Sequence, residues 1–290
     1  ITLAHDTMDG IFGWLGNHGA HQDLIKHMGQ AARLSPEGAL NAHSSQVLGV
    51  AGCSRLGKAD IHVENGLAAA LYGRPRFLDA DLAFIARDQN PAMAVAHGWL
   101  RFGEILPTLM QGNFAFAVLE PLKKKAFLAL DRVGAERLCY AKHGDQLVFG
   151  SSVQSVAAHP AVGRVIDPQA IYDYLYFHAI PAPRSLYQGV HKVLPGQTLT
   201  LKNGQLSTAF YWQADYAPVD AGFAPHRRDF RNILDQAVRD ADAPATAAFL
   251  SGGTDSSTIV GALTAARGAP VDTFSIGFDA AGFDEMEYAR

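Results

Sequence analysis

The stretch Ser251-Gly252-Gly253-Thr254-Asp255-Ser256-Ser257 constrains this chain more than any other. Ahead of it, residues 246–250 are short, apolar and uncharged, the pattern of a buried strand in a parallel sheet. Behind it, residues 258–267 are rich in Ala, Leu, Ile and Val and predict a helix, which Gly268 stops and Pro270 keeps stopped. The loop is therefore a strand-to-helix turn at the carboxyl end of a strand, where open α/β sheets bind ligands.

Its residue types suit an anion. Two glycines let the backbone turn sharply and approach a ligand closely. The N–H groups at a helix start, and the helix dipole, favour negative charge. Ser251, Ser256 and Ser257 add hydroxyl donors. Asp255 would repel a bare phosphate, but it fits if Mg²⁺ lies between its carboxylate and the phosphate oxygens. The plain alternative is a turn whose Asp or Ser caps the helix. Two glycines, three serines and an acid are more than such a turn requires. No Gly-Lys-Ser/Thr follows, so this is not a Walker loop.

At 290 residues the length suggests two domains. A hydrophobic share of 48% and a charged share of 18% place the chain among ordinary globular proteins. A net charge of −4 and a pI near 6.3 argue against a dedicated nucleic-acid binder. The one basic run, Lys123-Lys124-Lys125, reads as a solvated turn between strands. No apolar stretch reaches the roughly 18 residues of a membrane span. Residues 1–10 carry two acids and no Lys or Arg, unlike the basic start of a signal peptide. Cys53 and Cys139 are too few for a disulfide framework and read as reduced core residues, which makes a cytoplasmic location the expectation. Twelve histidines are scattered, His18 and His21 come closest to a pair, and no histidine-based metal site is expected.

Residues 9–16 predict a strand, 29–42 a helix and turn, and 47–51 a short apolar segment. Residues 61–63 and 67–72 predict a hairpin across Asn65-Gly66. A mixed helical pattern covers 91–110, and strands follow at 113–119 and 126–131. Residues 138–142 and 146–150 pair across His143-Gly144-Asp145. Asp167 and Pro168 open a helix running through Tyr174 towards His178. A turn at Leu194-Pro195-Gly196-Gln197 leads to a strand at 198–201 and a second Asn-Gly turn, Asn203-Gly204. Residues 215–225 read as a linker, 224–240 as a helix and 271–278 as a second parallel strand. Many strands with few helices between them predict an α+β layered domain ahead of the α/β segment.

The loop resembles the SGGxDS pyrophosphate loop of the ATP-pyrophosphatases, which activate a carbonyl or similar oxygen by adenylation. Four further segments resemble strands of the N-terminal glutaminase domain of asparagine synthetase. They are Asp9-Gly10-Ile11-Phe12-Gly13, Gly112-Asn113-Phe114-Ala115-Phe116-Ala117, Asp131-Arg132-Val133-Gly134 and Leu147-Val148-Phe149-Gly150-Ser151-Ser152. Leu194-Pro195-Gly196 and Phe283-Asp284-Glu285 match that family as well. The resemblance implies an N-terminal-nucleophile-type αββα four-layer sandwich over residues 1–212. The start of an α/β parallel-sheet ATP-pyrophosphatase domain over 213–290 follows. It implies ATP and Mg²⁺ as cofactors, with ATP and pyrophosphate on Leu250, Ser251, Gly252, Gly253, Asp255, Ser256, Ser257 and Ile276. Asp255 would hold the magnesium through the phosphates, and the backbone at Leu250 and Ile276 would face the adenosine. For Ile276, plain core packing stands as an equal alternative.

The family pattern breaks at the glutamine site. There the family's first residue is Cys, whose thiolate attacks glutamine and whose own α-amine is the base. This chain has Asp9 at that position, preceded by eight residues. A carboxylate is a poor nucleophile toward an amide, and Cys53 and Cys139 fall elsewhere in the pattern. The family's Asn-Gly-Glu stretch aligns with Tyr72-Gly73-Arg74, which puts a cation where a carboxylate would hold the substrate amine. A later acidic contact aligns near Gln89 and Asn90, without an acid, and Arg55 answers to the carboxylate-binding Arg. The expectation is an inactive glutaminase domain, as in the β-lactam synthetases and lasso-peptide cyclases, which let an intramolecular amine attack. The function implied is an AMP- and pyrophosphate-forming amide ligase that passes a carboxylate to ammonia or an amine. An intramolecular amide former and a non-catalytic scaffold are the alternatives. The expected partners are ATP and a small-molecule or peptide carboxylate, with no nucleic acid, no membrane, and a homodimer as an open assembly. Two strands and two helices cannot bury both faces of a doubly wound sheet, so a longer protein is expected, with this piece alone inactive.

Overall fold

Alternation with a period of two along β1 (Gly10–Leu15) sets the architecture of the amino-terminal part. Ile11 and Leu15 point to one face and Phe12 and Trp14 to the other, and all four are buried. A strand buried on both faces needs a layer on each side. The computed structural model describes residues 9–17, 22–32, 39–54, 59–219, 222–243, 245–277 and 286–289. They fall into two compact units, Ile1–Ala214 and Asp215–Arg290.

In the first unit β1 is followed by α1 (Gln22–Ala31), β2 (Ala39–Ser44), β3 (Leu48–Ser54), β4 (Ala59–Glu64) and β5 (Leu67–Phe77). Next come α2 (Ala80–Asp88), α3 (Pro91–Phe102), β6 (Met110–Glu120), β7 (Lys125–Leu130), β8 (Cys139–His143) and β9 (Gln146–Gly150). α4 (Val153–Ala157), α5 (Pro168–Phe177), β10 (Val190–Lys192), β11 (Gln197–Lys202) and β12 (Gln205–Phe210) complete it. The strands form two six-stranded sheets, ordered β10-β8-β9-β1-β3-β2 and β12-β11-β7-β6-β5-β4, and every pairing is antiparallel.

Between the sheets, Ile11, Val50 and Phe149 meet Ala68, Ala70, Ala115 and Ala117. Large side chains of the first sheet thus share this core with alanines and leucines of the second. Outside the first sheet, α1 and α4 bring Leu24, Ile25, Met28 and Val156 onto Phe12, Trp14 and Val148. Outside the second, α2 and α3 bring Leu82 and Trp99 onto Phe114, Phe116 and Phe127. Each fully buried side chain of this size is worth about 1.5–3 kcal/mol. The result is the αββα sandwich of the N-terminal-nucleophile type.

Both Asn-Gly turns form as the sequence predicts, with φ of 51° and 78° at Asn65 and Gly66 and of 48° and 76° at Asn203 and Gly204. Asp167 caps α5 by accepting from Gln169 N at 3.0 Å. The triple-lysine run is a turn, in which Lys123 pairs with Glu120 and Lys125, first residue of β7, with Glu104. Two segments differ from expectation. The first helix lies at Gln22–Ala31 rather than 29–42, and Ala39 to Ala42 belong to β2, whose residues pair with β3 along their length. α2 is unannounced in the sequence because its apolar stripe is blurred: Leu82 is buried but Phe84 is exposed.

The second unit holds α6 (Phe223–Ala241), β13 (Ala248–Phe249), α7 (Thr254–Arg267), β14 (Thr273–Phe274) and α8 (Met286–Ala289). β13 and β14 pair in parallel, Ala248 opposite Thr273 and Phe249 opposite Phe274. Both strands are shorter than the predicted 246–250 and 271–278, the last residue of which lies outside the described residues. The predicted burial does not hold either, since Phe249 is 73% and Phe274 61% exposed. Burial of a strand depends on what covers its sheet, and this sheet has two strands among the described residues.

Candidate functional site

β13 runs through Leu250 into the serine- and glycine-rich loop, and α7 starts at Thr254. Gly252 has φ +81°, and a Cβ there would lie 2.4 Å from Cβ of Tyr288 on α8. Glycine is therefore required both for the left-handed backbone and for the close approach of α8. The hydroxyls organise the turn. Ser256 Oγ accepts from Ser251 N at 3.2 Å and donates to Gly253 O at 3.2 Å, and Ser251 Oγ lies 3.1 Å from it. Ser251, Gly253, Asp255 and Ser257 are exposed, with Gly252 and Ser256 half-buried.

The start of α7 separates the two readings of this loop. Its N-cap is Gly253, and no side chain caps it. α6 likewise starts on an uncapped glycine, Gly222, whereas Asp79, Asn90, Ser152 and Asp167 cap α2, α3, α4 and α5. Asp255 does not cap α7, while Ser251 Oγ accepts from Gly253 N at 3.4 Å, so the serines brace the turn itself. The first-turn N–H groups of α7 have no side-chain acceptor, and the dipole places partial positive charge there. Hydroxyls stand beside those donors and the Asp255 carboxylate lies in the same turn, a donor set that fits a polyphosphate with a divalent cation.

Leu250 and Ile276 lie at the same carboxyl edge, just beyond β13 and β14. Among the described residues Ile276 is 66% exposed. Ser275, which sequence reasoning passed over, ties the edge together. Its hydroxyl donates to Leu250 O at 2.6 Å, next to the Leu250 N to Phe274 O bond of 2.9 Å. A serine after an apolar strand carries no signal by itself, because its partner is 25 residues away. At the far end of α7, Arg267 Nε donates to both Asp242 carboxylate oxygens at 3.1 Å, and its Nη2 donates to Ala243 O at 2.8 Å. The Arg267 hydrogen bond holds the Asp242 carboxyl below the usual range and raises the guanidinium in turn. Phe283-Asp284-Glu285 lies outside the described residues.

The first unit gathers its motifs around Asp131, which is fully buried. Its Oδ1 accepts from Val133 N and Ala135 N at 3.0 Å, and its Oδ2 from Glu136 N at 3.0 Å and Phe114 N at 3.4 Å. Its carbonyl accepts from Gly196 N at 2.8 Å. Three segments singled out in the sequence, at Gly112, Asp131 and Leu194, therefore meet at one carboxylate and its backbone. The wrapped loop presents Glu136 to Tyr72. Burial first, then the charge and hydrogen bond of Glu136, then Asp9, push the Tyr72 phenol up to about 12. Asp9 precedes β1, whose Gly10 is opposite Cys53. Gly73 has φ +112°, and a Cβ there would meet Asn113 O at 2.3 Å. Arg74 is exposed and in register with Asn113.

Gln89 and Asn90 are structural. Gln89 is the C-cap of α2, while Asn90 caps α3 by accepting from Met93 N at 3.0 Å and donates to Asp60 at 2.5 Å. Cys53 and Cys139 are both buried, and neither is in a disulfide, as expected. Burial, with Asp9 adding, pushes the Cys53 thiol up, and burial pushes Cys139 up to about 12 against the pull of Lys192 and Arg137. Arg55, His18 and His21 lie outside the described residues. Among the described residues, no helix is long and apolar enough to cross a membrane.

Two family models match in succession: the glutamine amidotransferase domain over residues 86–212 and asparagine synthase over 229–290. In that order the two matches resemble the make-up of the asparagine synthetases. Curated relatives include glutamine-hydrolysing asparagine synthetases 3 and 1 of Bacillus subtilis, at 27% and 31% identity. These matches cover 63% and 62% of this chain but 31% and 29% of those asparagine synthetases. A putative asparagine synthetase 2 of Methanocaldococcus jannaschii is 30% identical over 62% of this chain and 36% of its own length. The chain thus spans about a third of the length of the asparagine synthetases it matches. A solved glutamine phosphoribosylpyrophosphate amidotransferase from B. subtilis, complexed with ADP and GMP, matches 94% of this chain and 67% of its own. That match has 16% identity and a TM-score of 0.42.

Proposed function

We propose that this protein is an ATP-dependent amide ligase of the asparagine synthetase type, which adenylates a carboxylate and passes the acyl group to ammonia or an amine. The observation that carries the reading is the loop itself, with Ser251, Ser256 and Asp255 gathered at the start of α7 and at the carboxyl edge of two parallel strands. The nucleotide supplies the phosphorus that a carboxylate oxygen attacks. The chain's part is to bind and to neutralise. N–H groups of the first turn and the hydroxyls of Ser251, Ser256 and Ser257 donate to phosphate oxygens, so that negative charge on departing pyrophosphate is stabilised where it develops. Asp255 would hold Mg²⁺ against those oxygens. Leu250 and Ile276 offer backbone and apolar surface to the nucleoside.

The amino-terminal domain, over 1–212 in this reading, keeps its fold and does not hydrolyse glutamine. Asp9 supports this, because a carboxylate at the start of β1 supplies neither a thiolate nor a free α-amine. The same residue favours a second reading, a ligase whose acceptor is an amine within the substrate itself. ATP–pyrophosphate exchange on the whole protein tests the first reading. Exchange is expected with a cognate carboxylate and Mg²⁺, and Asp255→Asn should lower it by at least about a hundredfold. Neither exchange nor ATP binding would leave the scaffold alternative. Ammonia, but not glutamine, should support product formation, and measurable glutamine hydrolysis would defeat the reading of Asp9.

A further inference from the structure

Far in sequence from the loop, three side chains converge on the outer edge of the second sheet. His62 and Glu64 sit two residues apart on β4, so the pleat turns both to the same face. His97 comes from α3, which packs over that face. Glu64 Oε2 lies 3.3 Å from Nε2 of His62 and 3.9 Å from Nε2 of His97. The three ligand atoms all fall within 4.8 Å of one another. We propose that His62, Glu64 and His97 form a binding site for a divalent transition metal, with zinc the natural occupant by ligand type.

The geometry is close to that of a bound state. Zinc holds imidazole nitrogen and carboxylate oxygen at about 2.0–2.2 Å, so ligand atoms in a tetrahedral site stand about 3.4 Å apart. Two of the three separations need little or no movement. The rings are edge-on to one another, with centroids 6.4 Å apart, and both imidazoles address the carboxylate through Nε2. A histidine–carboxylate surface pair would account for one imidazole, but not for a second from a different element aimed at the same oxygen.

The frame is rigid. β4 is paired with β5 along its whole length, Asn65-Gly66 fixes the turn after Glu64, and α3 is anchored by Val95, Ala96 and Trp99. The next basic residue along α3, Arg101, is held 3.1 Å from Asp79 and 3.2 Å from Asp81. The side chains are 17%, 53% and 42% exposed for His62, Glu64 and His97, which leaves an open side for water to complete the coordination. Two imidazoles and one carboxylate select zinc, nickel or cobalt over magnesium or calcium. Such an ion would pin the edge strand to the helix above it.

Zinc and cobalt titrations of the whole protein, stripped of metal beforehand, provide the test. The wild type should bind one zinc more than the His62→Gln/His97→Gln double variant. Each single variant should weaken that site by at least about tenfold. Cobalt should give a visible d–d absorption band that zinc abolishes and that the double variant lacks. Zinc should also raise the melting temperature of the wild type but not of the double variant. The metal-free melting temperatures of the variants establish that they fold. Equal zinc uptake by the wild type and the folded double variant, or an identical cobalt spectrum for both, would overturn the proposal.

Discussion

Asp131 shows what one residue can hold. It is buried as a carboxylate, and four backbone N–H groups compensate for its desolvation. Asp131→Asn would turn an NH₂ toward donors on at least one side. We expect it to cost about 2–4 kcal/mol in urea unfolding, since a buried network loses a charged acceptor and gains a clash of donors. Gly252 is a second such position. In Gly252→Ala the new methyl must displace Tyr288 and adopt φ +81°, so the loop geometry shifts. ATP affinity, measured by calorimetry, should fall by at least about tenfold, in line with misplaced ligand contacts. Far-UV circular dichroism should stay unchanged, because the first unit is built without this loop.

At the scale of elements, the pairing of α6 with α7 through Asp242 and Arg267 carries a pH signature. The Asp242 carboxyl is lowered in the folded state, chiefly by its hydrogen bond from Arg267. A depressed folded pKa means that the contribution is complete above the ordinary value of 3.8 and is lost as pH falls through the lower, folded one. The melting temperature of the wild type should therefore exceed that of Asp242→Asn most at neutral pH. The gap should narrow below pH 3.8. A gap unchanged down to the acid limit would mean that the ionisation of Asp242 contributes nothing to it. The helix caps act at the same scale. Four helices of the first unit start on Asp, Asn or Ser, whereas α6 and α7 both start on glycine, and only α7 follows a strand through a serine-lined loop.

Across the first unit, both cysteines lie in the layer between α1, α4 and the first sheet. Reaching them takes the opening of that layer, and burial keeps each thiol protonated at neutral pH. Thiol titration at pH 7.5 should find neither accessible in the folded protein and both accessible in strong denaturant. Rapid labelling of either in native conditions would show that the layer opens locally. The second unit has a different balance. Phe249, Phe274 and Ile276 are all more than half exposed, so its sheet is not enclosed by the described residues.

The sequence alone determined the parts whose physics is local. Asn-Gly fixed two turns because few other pairs accept consecutive positive φ, and Asp167-Pro168 fixed a helix start. The spacing of glycines and serines located the loop before α7, and the family motifs indicated the αββα layers. Tertiary structure decided what depends on distant partners. Whether residues 246–250 were buried rested on how many strands stood beside them, and α2 formed because the second sheet offered Leu82 a place to pack. The meeting of Phe114, Asp131 and Gly196, and of His62 and Glu64 with His97, has no trace in spacing. Only pairing register and helix packing bring those atoms within reach.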